Sequence, residues 1–244
     1  MSLRIGCDLD GVLADMESEL IRHARELFGE VAPRVLPGPA NQQAPPDPAA
    51  APKPLQTPPP RLAQMEMTDR QQRRLWRHVE SIDGFWETLK EIEPGMVARL
   101  AAVADERRWE LIFLTKRPES VGATAQVQTQ RWLQAHGFTL PSVFVVQGSR
   151  GRVADAFKLD FVIDDRPENC LDVVLDSTTR ALLVWRGDES LLPAAAKRPG
   201  VQVVSSMAEC LAMLEQISGP AREQPGLIGW VKKRLGMAPS TGGS

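Results

Sequence analysis

An α/β fold, with a mainly parallel β-sheet covered by helices on both faces and one inserted helical segment, is what this sequence predicts. Three observations carry it. Short runs rich in β-branched and aliphatic residues recur along the chain, helical patterns separate them, and one long stretch after the first run departs from that rhythm. Strands that alternate with helices cannot be joined by hairpins, so they pair in parallel and bury both faces of the sheet.

Taken in order, the first strand falls at residues 3–8 and an amphipathic helix at 15–28. From Pro33 to Pro60 the chain is crowded with proline and alanine and has little to bury. Proline removes backbone donors and blocks helix and sheet alike, so this stretch is expected to be a disordered or extended insert. Its PxxP spacings would also suit a polyproline ligand, but a loop insertion is the better reading. Helical patterning resumes near Leu62 and runs to about Val79, followed by "GFWETLKEI" and then Pro94 and Gly95. Beyond these come helix 96–107, strand 109–115, helix 119–136, strand 142–147, a short helix from Arg152, and strand 160–165. A helix over 168–175, strands 181–185 and 201–204, and a helix over 206–217 complete the pattern. The expected organisation is a discontinuous core, residues 1–15 and 94–218, a helical cap over 16–93, and a tail over 219–244. Within the tail, "GLIGWVKKRLGM" could form a short basic amphipathic helix, although a frayed or core-packed end is the better expectation.

Composition narrows the function classes. The chain has 244 residues, 43% hydrophobic and 25% charged, with a formal net charge of -2, as expected for a soluble globular protein of one or two domains. That balance gives no footing for a nucleic-acid polymer. No apolar run approaches the roughly 18–20 residues that span a bilayer, and no basic-then-apolar leader opens the sequence, so a cytoplasmic location is expected. Cys7, Cys170 and Cys210 lie far apart with no CxxC, which predicts reduced, packed thiols. His23, His78 and His136 are scattered through polar helical stretches and suggest no metal cluster.

In a parallel α/β sheet, ligands bind at the carboxyl ends of the strands. The first strand ends in Asp8 and Asp10, the second in Thr115 followed by Lys116 and Arg117, the third in "QGSRGR", and the fourth in Asp164 and Asp165. Four carboxylates brought together would repel one another, so a divalent cation is expected among them, and oxygen-only ligands favour Mg²⁺. The convergent hydroxyl and cations then suit a phosphate, with Lys116 and Arg117 as candidate substrate-binding residues.

In order and spacing, "DLDGVLAD", "FLTKRP" and "FVIDDRPEN" resemble the haloacid dehalogenase-like phosphohydrolase superfamily and its Rossmann-like core. With "GFWETLKEIEPG" between them, they resemble in particular its 5'(3')-deoxyribonucleotidase branch of cytosolic type C; the likeness covers residues 1 to about 176. The resemblance implies a nucleophile at Asp8 and an acid/base at Asp10. It also implies metal ligation by Asp8, the backbone carbonyl of Asp10 and Asp164, with Asp165 orienting metal-bound water, and a phosphate-directed hydroxyl at Thr115. The chemistry fits the residue types. A carboxylate can attack phosphorus, and a second one, two residues on, can protonate the leaving oxygen and later activate water. Asp at a strand end is often only a turn residue or a helix cap, but that reading must hold at every one of these positions at once.

One position departs from the family pattern. The expected phosphate-directed lysine, counted back from Asp164, falls on Arg150; Arg152 and Lys158 are the alternatives. Arginine keeps the charge but presents a planar fork in place of a point charge. Over the site, Trp76, Phe85 and Trp86 are candidates for stacking on a base, although a small helical cap also needs aromatics for its own core. Arg73, Arg74 and Arg77 read as a solvated helix face. A cysteine-phosphatase loop would need arginine where Leu13 stands, and no GxSxG, GxxxxGK[ST] or GxGxxG occurs. The expected function is Mg²⁺-dependent hydrolysis, through an aspartyl phosphate, of a small phosphorylated metabolite, with a nucleoside monophosphate as the expected substrate. A sugar phosphate or other small metabolite is the alternative substrate, and a non-catalytic phosphate-binding scaffold the alternative class.

Overall fold

The sheet is parallel throughout, and its strand order reverses at the first strand. The computed structural model describes residues 2–29 and 67–219. Its strands are β1 (Arg4–Asp8), β2 (Glu110–Thr115), β3 (Ser142–Val145), β4 (Phe161–Asp164), β5 (Arg180–Val184) and β6 (Val201–Val204). They lie in the order β3-β2-β1-β4-β5-β6, every neighbouring pair parallel. The helices are α1 (Met16–Phe28), α2 (Asp69–Glu80), α3 (Met96–Arg107), α4 (Ala125–Ala135), α5 (Arg150–Phe157), α6 (Pro167–Asp176) and α7 (Met207–Ser218). A short 3-10 turn, Phe85–Glu87, stands between α2 and α3.

Alternation along the strands divides the interior into two layers. Ile5, Cys7, Phe113, Ile163 and Leu182 pack with Leu20, Leu75, Leu100, Trp132 and Leu211, the apolar faces of α1, α2, α3, α4 and α7. Their alternates Val162, Ala181 and Leu183 pack on the other face with Ala154, Cys170 and Val173 of α5 and α6. The three cysteines are free and buried within these layers. Asp8 continues the parity of Gly6, and Asp164 that of Val162, so both acids turn toward the α5 and α6 layer.

The segment between β1 and α3 leaves and returns through one stem. Asp15 N–H donates to Lys90 O at 2.8 Å and Ile92 N–H to Leu13 O at 2.9 Å. From the stem, α1 begins at Asp15, whose side chain accepts from Ser18 N–H, and packs on α2, which Thr68 and Gln71 open with a reciprocal capping box. The architecture is a Rossmann-like parallel sheet flanked by helices with an inserted helical region.

Three helix starts differ from the sequence reading; α2, expected from near Leu62, begins at Asp69 behind the Thr68 cap. The helix expected over 119–136 begins only at Ala125: Gly122 adopts φ 93°, and Thr124 caps the helix by accepting from Val127 N–H. The helix expected from Arg152 begins at Arg150, because Ser149 accepts from Arg152 N–H and takes the cap. The insert over 33–60, the onset of helical patterning near 62 and the tail beyond 219 lie outside the described residues. No helix among the described residues is long and apolar enough to cross a membrane.

Candidate active site

Reversal of strand order between β1 and β4 opens a crevice at their carboxyl ends, the place where open α/β sheets take ligands. Register fills it with acids. Cys7 lies opposite Ile163, so the next residues along, Asp8 and Asp164, end adjacent strands side by side. On the other flank Asp8 is opposite Leu114, which brings Thr115 to the same edge. One carboxylate oxygen from each of Asp8, Asp164 and Asp165 lies within 4.8 Å of the other two.

Donors from the α5 and α6 layer meet these acids. Arg150, the first residue of α5, places Nη2 2.6 Å from Asp8 Oδ1 and Nε 3.9 Å from Asp164 Oδ2. Asn169, in the first turn of α6, donates through Nδ2 to both Asp164 oxygens at 3.0 and 2.9 Å, and Arg166 N–H donates to Oδ1 at 2.9 Å. Helix-forming sequence directly after a strand-end acid thus supplies the hydrogen bonds that orient it. Gly11 completes the crowding at φ 86°, where an added Cβ would lie 2.0 Å from Asp165 Oδ2.

The charge of the cluster is not balanced by the protein alone. Burial, then the charge of Asp164, pushes the Asp8 carboxyl well above the usual carboxylate range, against the pull of Arg150. Burial likewise raises Asp164, against the Arg166 N–H, Arg150 and Asn169. Burial and the neighbouring Asp164 push Asp165 up to about 7. Asp165 Oδ1 is buried without a hydrogen-bond partner, and so is Arg150 Nη1. Hard oxygen donors, a buried carboxylate oxygen with no donor and one guanidinium for three acids together fit a divalent cation such as Mg²⁺. Asp8, Asp164 and Asp165 are the side chains that would hold it.

Asp10 is held apart from that cluster. Arg117 grips it as a fork, Nη2 to Oδ1 at 2.7 Å and Nε to Oδ2 at 3.0 Å. The Thr115 hydroxyl reaches Asp10 Oδ2 at 3.4 Å. The Asp10 side chain keeps 13% of its surface exposed, so it remains reachable from the crevice.

Several expected site residues fall elsewhere. Arg117, expected on substrate, is only 2% exposed, because its guanidinium is spent on Asp10 and on Thr129. Lys116 beside it is exposed. Phe85 and Trp86, expected as stacking platforms for a base, are both fully buried in the core between the insert and α4, so neither offers a ring face to a ligand. Trp76 is half-buried and packs against the same core. Lys158 caps the far end of α5 and pairs with Asp155 at 2.9 Å, and Arg152 is exposed. Asn169 and Thr129 are absent from the sequence reading. Asn169 carries a signal, an amide in the first turn of the helix after an Asp pair, whereas Thr129 carries none, since "AQVQTQRW" has polar residues on every side.

No protein-family model and no curated protein matches the chain. Solved structures do. A candidate β-phosphoglucomutase from Thermotoga maritima aligns at 18% identity with a TM-score of 0.51, over 89% of this chain and 100% of that one. A haloacid dehalogenase-like family hydrolase from Xanthomonas campestris aligns at 13% identity and TM-score 0.47, over 89% and 96% of the two chains. D,D-heptose 1,7-bisphosphate phosphatase from B. bronchiseptica, solved with magnesium and phosphate, aligns at 13% identity and TM-score 0.46, over 89% and 99%. At these identities the likeness is one of fold.

Proposed function

We propose that this chain is a Mg²⁺-dependent phosphomonoester hydrolase of the haloacid dehalogenase-like superfamily, working through a phosphorylated Asp8. The observation that carries the reading is the convergence of Asp8, Asp164 and Asp165 within 4.8 Å at the reversal point of the sheet, with Arg150 against Asp8 and Asp10 within the same loop. A bound divalent cation would draw charge from the phosphoryl oxygens.

The chain's own residues do the rest. Asp8 attacks phosphorus, and Arg150, whose Nη1 is buried and unpartnered, supplies donors for the phosphoryl oxygens. Asp10 gives its proton to the leaving oxygen, then takes one from the water that hydrolyses the aspartyl phosphate. Thr115, at the end of β2, offers its hydroxyl to a phosphoryl oxygen.

For the substrate, the reading is a phosphorylated sugar or similar small metabolite. The candidate β-phosphoglucomutase of the same fold supports it. So does the burial of Phe85 and Trp86, two of the three rings expected to stack on a base in the nucleotidase reading. A screen of sugar phosphates, other metabolite esters and (deoxy)nucleoside monophosphates, with and without Mg²⁺, tests both levels. Mg²⁺-dependent turnover that vanishes in Asp8→Asn supports the mechanism, and equal turnover in the two proteins would sink it. A clear preference for nucleotides would restore the nucleotidase expectation.

A further inference from the structure

The turn that carries Asp10 is closed by its own backbone. Leu13 N–H and Ala14 N–H both donate to Leu9 O at 2.8 Å, and Gly11 N–H donates to Ala14 O at 3.0 Å. Arg117 adds nothing to that framework, since within the turn its hydrogen bonds among the described residues go to the Asp10 carboxylate alone, at 2.7–3.2 Å through Nε and Nη2. A guanidinium on a side chain 0% exposed is costly to bury unless it is fully paired, and this one is paired on every side. Nη1 donates to Thr129 Oγ1 at 2.9 Å, and the Thr129 hydroxyl donates in turn to Ala125 O at 2.7 Å. The Trp86 ring lies 5.0 Å from the guanidinium carbon. Trp86 is itself fixed, its N–H to Gln128 Oε1 at 3.1 Å and its indole Nε1–H to Pro118 O at 3.2 Å. The guanidinium is therefore seated by α4 on one side and by the inserted segment on the other.

We propose that Arg117 is a positioning residue that fixes the Asp10 carboxylate for proton transfer, with Thr129 and Trp86 setting its place. The proposal rests on the reading of Asp10 as the acid/base. The terminal torsion of a free aspartate is broad, and a two-point fork removes that freedom. The inserted segment thereby acts on the chemistry from inside the core, through Trp86, rather than by touching substrate there.

The two steps separate this role from others. In the first, an Asp8 oxygen bonds to phosphorus, the ester P–O bond breaks, and the leaving oxygen takes the Asp10 proton. In the second, water oxygen bonds to phosphorus, Asp10 takes its proton, and the Asp8–phosphorus linkage breaks to release orthophosphate. p-Nitrophenolate leaves without needing a proton, so with p-nitrophenyl phosphate only the second step depends strongly on Asp10. Rapid-mixing kinetics with this ester in Mg²⁺ is the test. Arg117→Gln is expected to release about one p-nitrophenolate per site in a burst, then turn over roughly 10- to 100-fold slower than wild type with no rise in KM. Asp10→Asn should show the same burst, Arg117→Lys a partial recovery, and Thr129→Val a smaller loss of the same form. Thr129→Val also serves if Arg117→Gln fails to fold, as read by circular dichroism and thermal unfolding.

A rise in KM at unchanged kcat would make Arg117 a substrate ligand and overturn the proposal. Loss of burst and steady state together in folded variants would leave it a purely structural role and overturn it too. A wild type inactive on every ester fails the underlying reading and this proposal with it. An active wild type silenced by Asp8→Asn, with no burst in the Arg117 and Thr129 variants, fails this proposal alone.

Discussion

Arg150 reaches the last residues of two adjacent strands at once, Nη2 2.6 Å from Asp8 Oδ1 and Nε 3.9 Å from Asp164 Oδ2. One buried guanidinium thus stands where two acids would otherwise face each other across the sheet. Removing it leaves neither acid an ion-pair partner among the described side chains. Arg150→Ala is expected to lower kcat/KM by about 10²- to 10³-fold, with Arg150→Lys retaining part of the activity. Lys158→Ala should change little, since that side chain is exposed and pairs with Asp155. Steady-state kinetics on the three variants decides the point, and a loss confined to Lys158→Ala would assign the phosphate to the other cation.

Gly11 directly follows Asp10 in the loop after β1 and packs closely against Asp165. At φ 86° an alanine is strained, and its Cβ would meet Asp165 Oδ2 at 2.0 Å. Gly11→Ala is expected to destabilise the fold by about 1–3 kcal/mol and to displace Asp165. Urea unfolding gives the first number, and a Mg²⁺ titration followed by calorimetry should show weaker binding. A variant as stable as wild type would contradict the crowding.

Asn169 acts on the acids from outside the cluster. Its Nδ2 donates to both oxygens of Asp164, and such supporting hydrogen bonds are typically worth 10- to 100-fold in metal affinity. Asn169→Ala should weaken Mg²⁺ binding by roughly 10-fold or more at unchanged helix content, measured by the Mg²⁺ dependence of thermal stability. Unaltered dependence would mean that Asp164 needs no such support.

Glu93 ties the end of the insert stem to the start of α7. It accepts from Arg186 Nη2 and Met207 N–H, both at 2.7 Å, and from Ala208 N–H at 3.0 Å. Burial raises its pKa, but the Arg186 and backbone hydrogen bonds outweigh burial and hold it below the usual carboxylate range. A depressed folded pKa means stability that is fully present above the unfolded value, near about 4.3, and lost as pH falls through the folded one. Glu93→Gln should therefore destabilise by roughly 1–2 kcal/mol at pH 7, with the gap closing toward pH 3. Urea unfolding at the two pH values measures it; a gap that is constant with pH would remove the charge from the account.

Phe85 gives the simplest check on the buried aromatics. It is fully buried, 4.9 Å edge-on from Trp86 and 5.8 Å from the His23 ring. Phe85→Ala should cost about 3–5 kcal/mol of stability with little change in KM for the folded protein. A raised KM at unchanged stability would return the ring to the substrate.

Much of the sheet could be read along the chain. Runs such as "ELIFLT" and "FVID" announce strands because each residue's side is fixed by its neighbours, and acids standing at their ends announce a site because parallel strands share one binding edge. The family resemblance, counted back from Asp164, also pointed to Arg150 and left Arg152 and Lys158 as alternatives. Helix starts were less legible: a side-chain cap from Ser149 moved the start of α5 by two residues, and a left-handed Gly122 moved that of α4 by more than a turn.

By itself, then, the sequence determined the α/β pattern, the acids at the strand ends and the candidate cation. Only the tertiary structure decided which partners those groups meet. Arg117 and Asp10 are 107 residues apart, Arg150 and Asp8 142, and whether each pair touches depends on strand register and on the seating of α4 and α5. The same packing took Phe85 and Trp86 from an exposed platform into the core. Burial is a property of the assembled layers, and no local spacing encodes it.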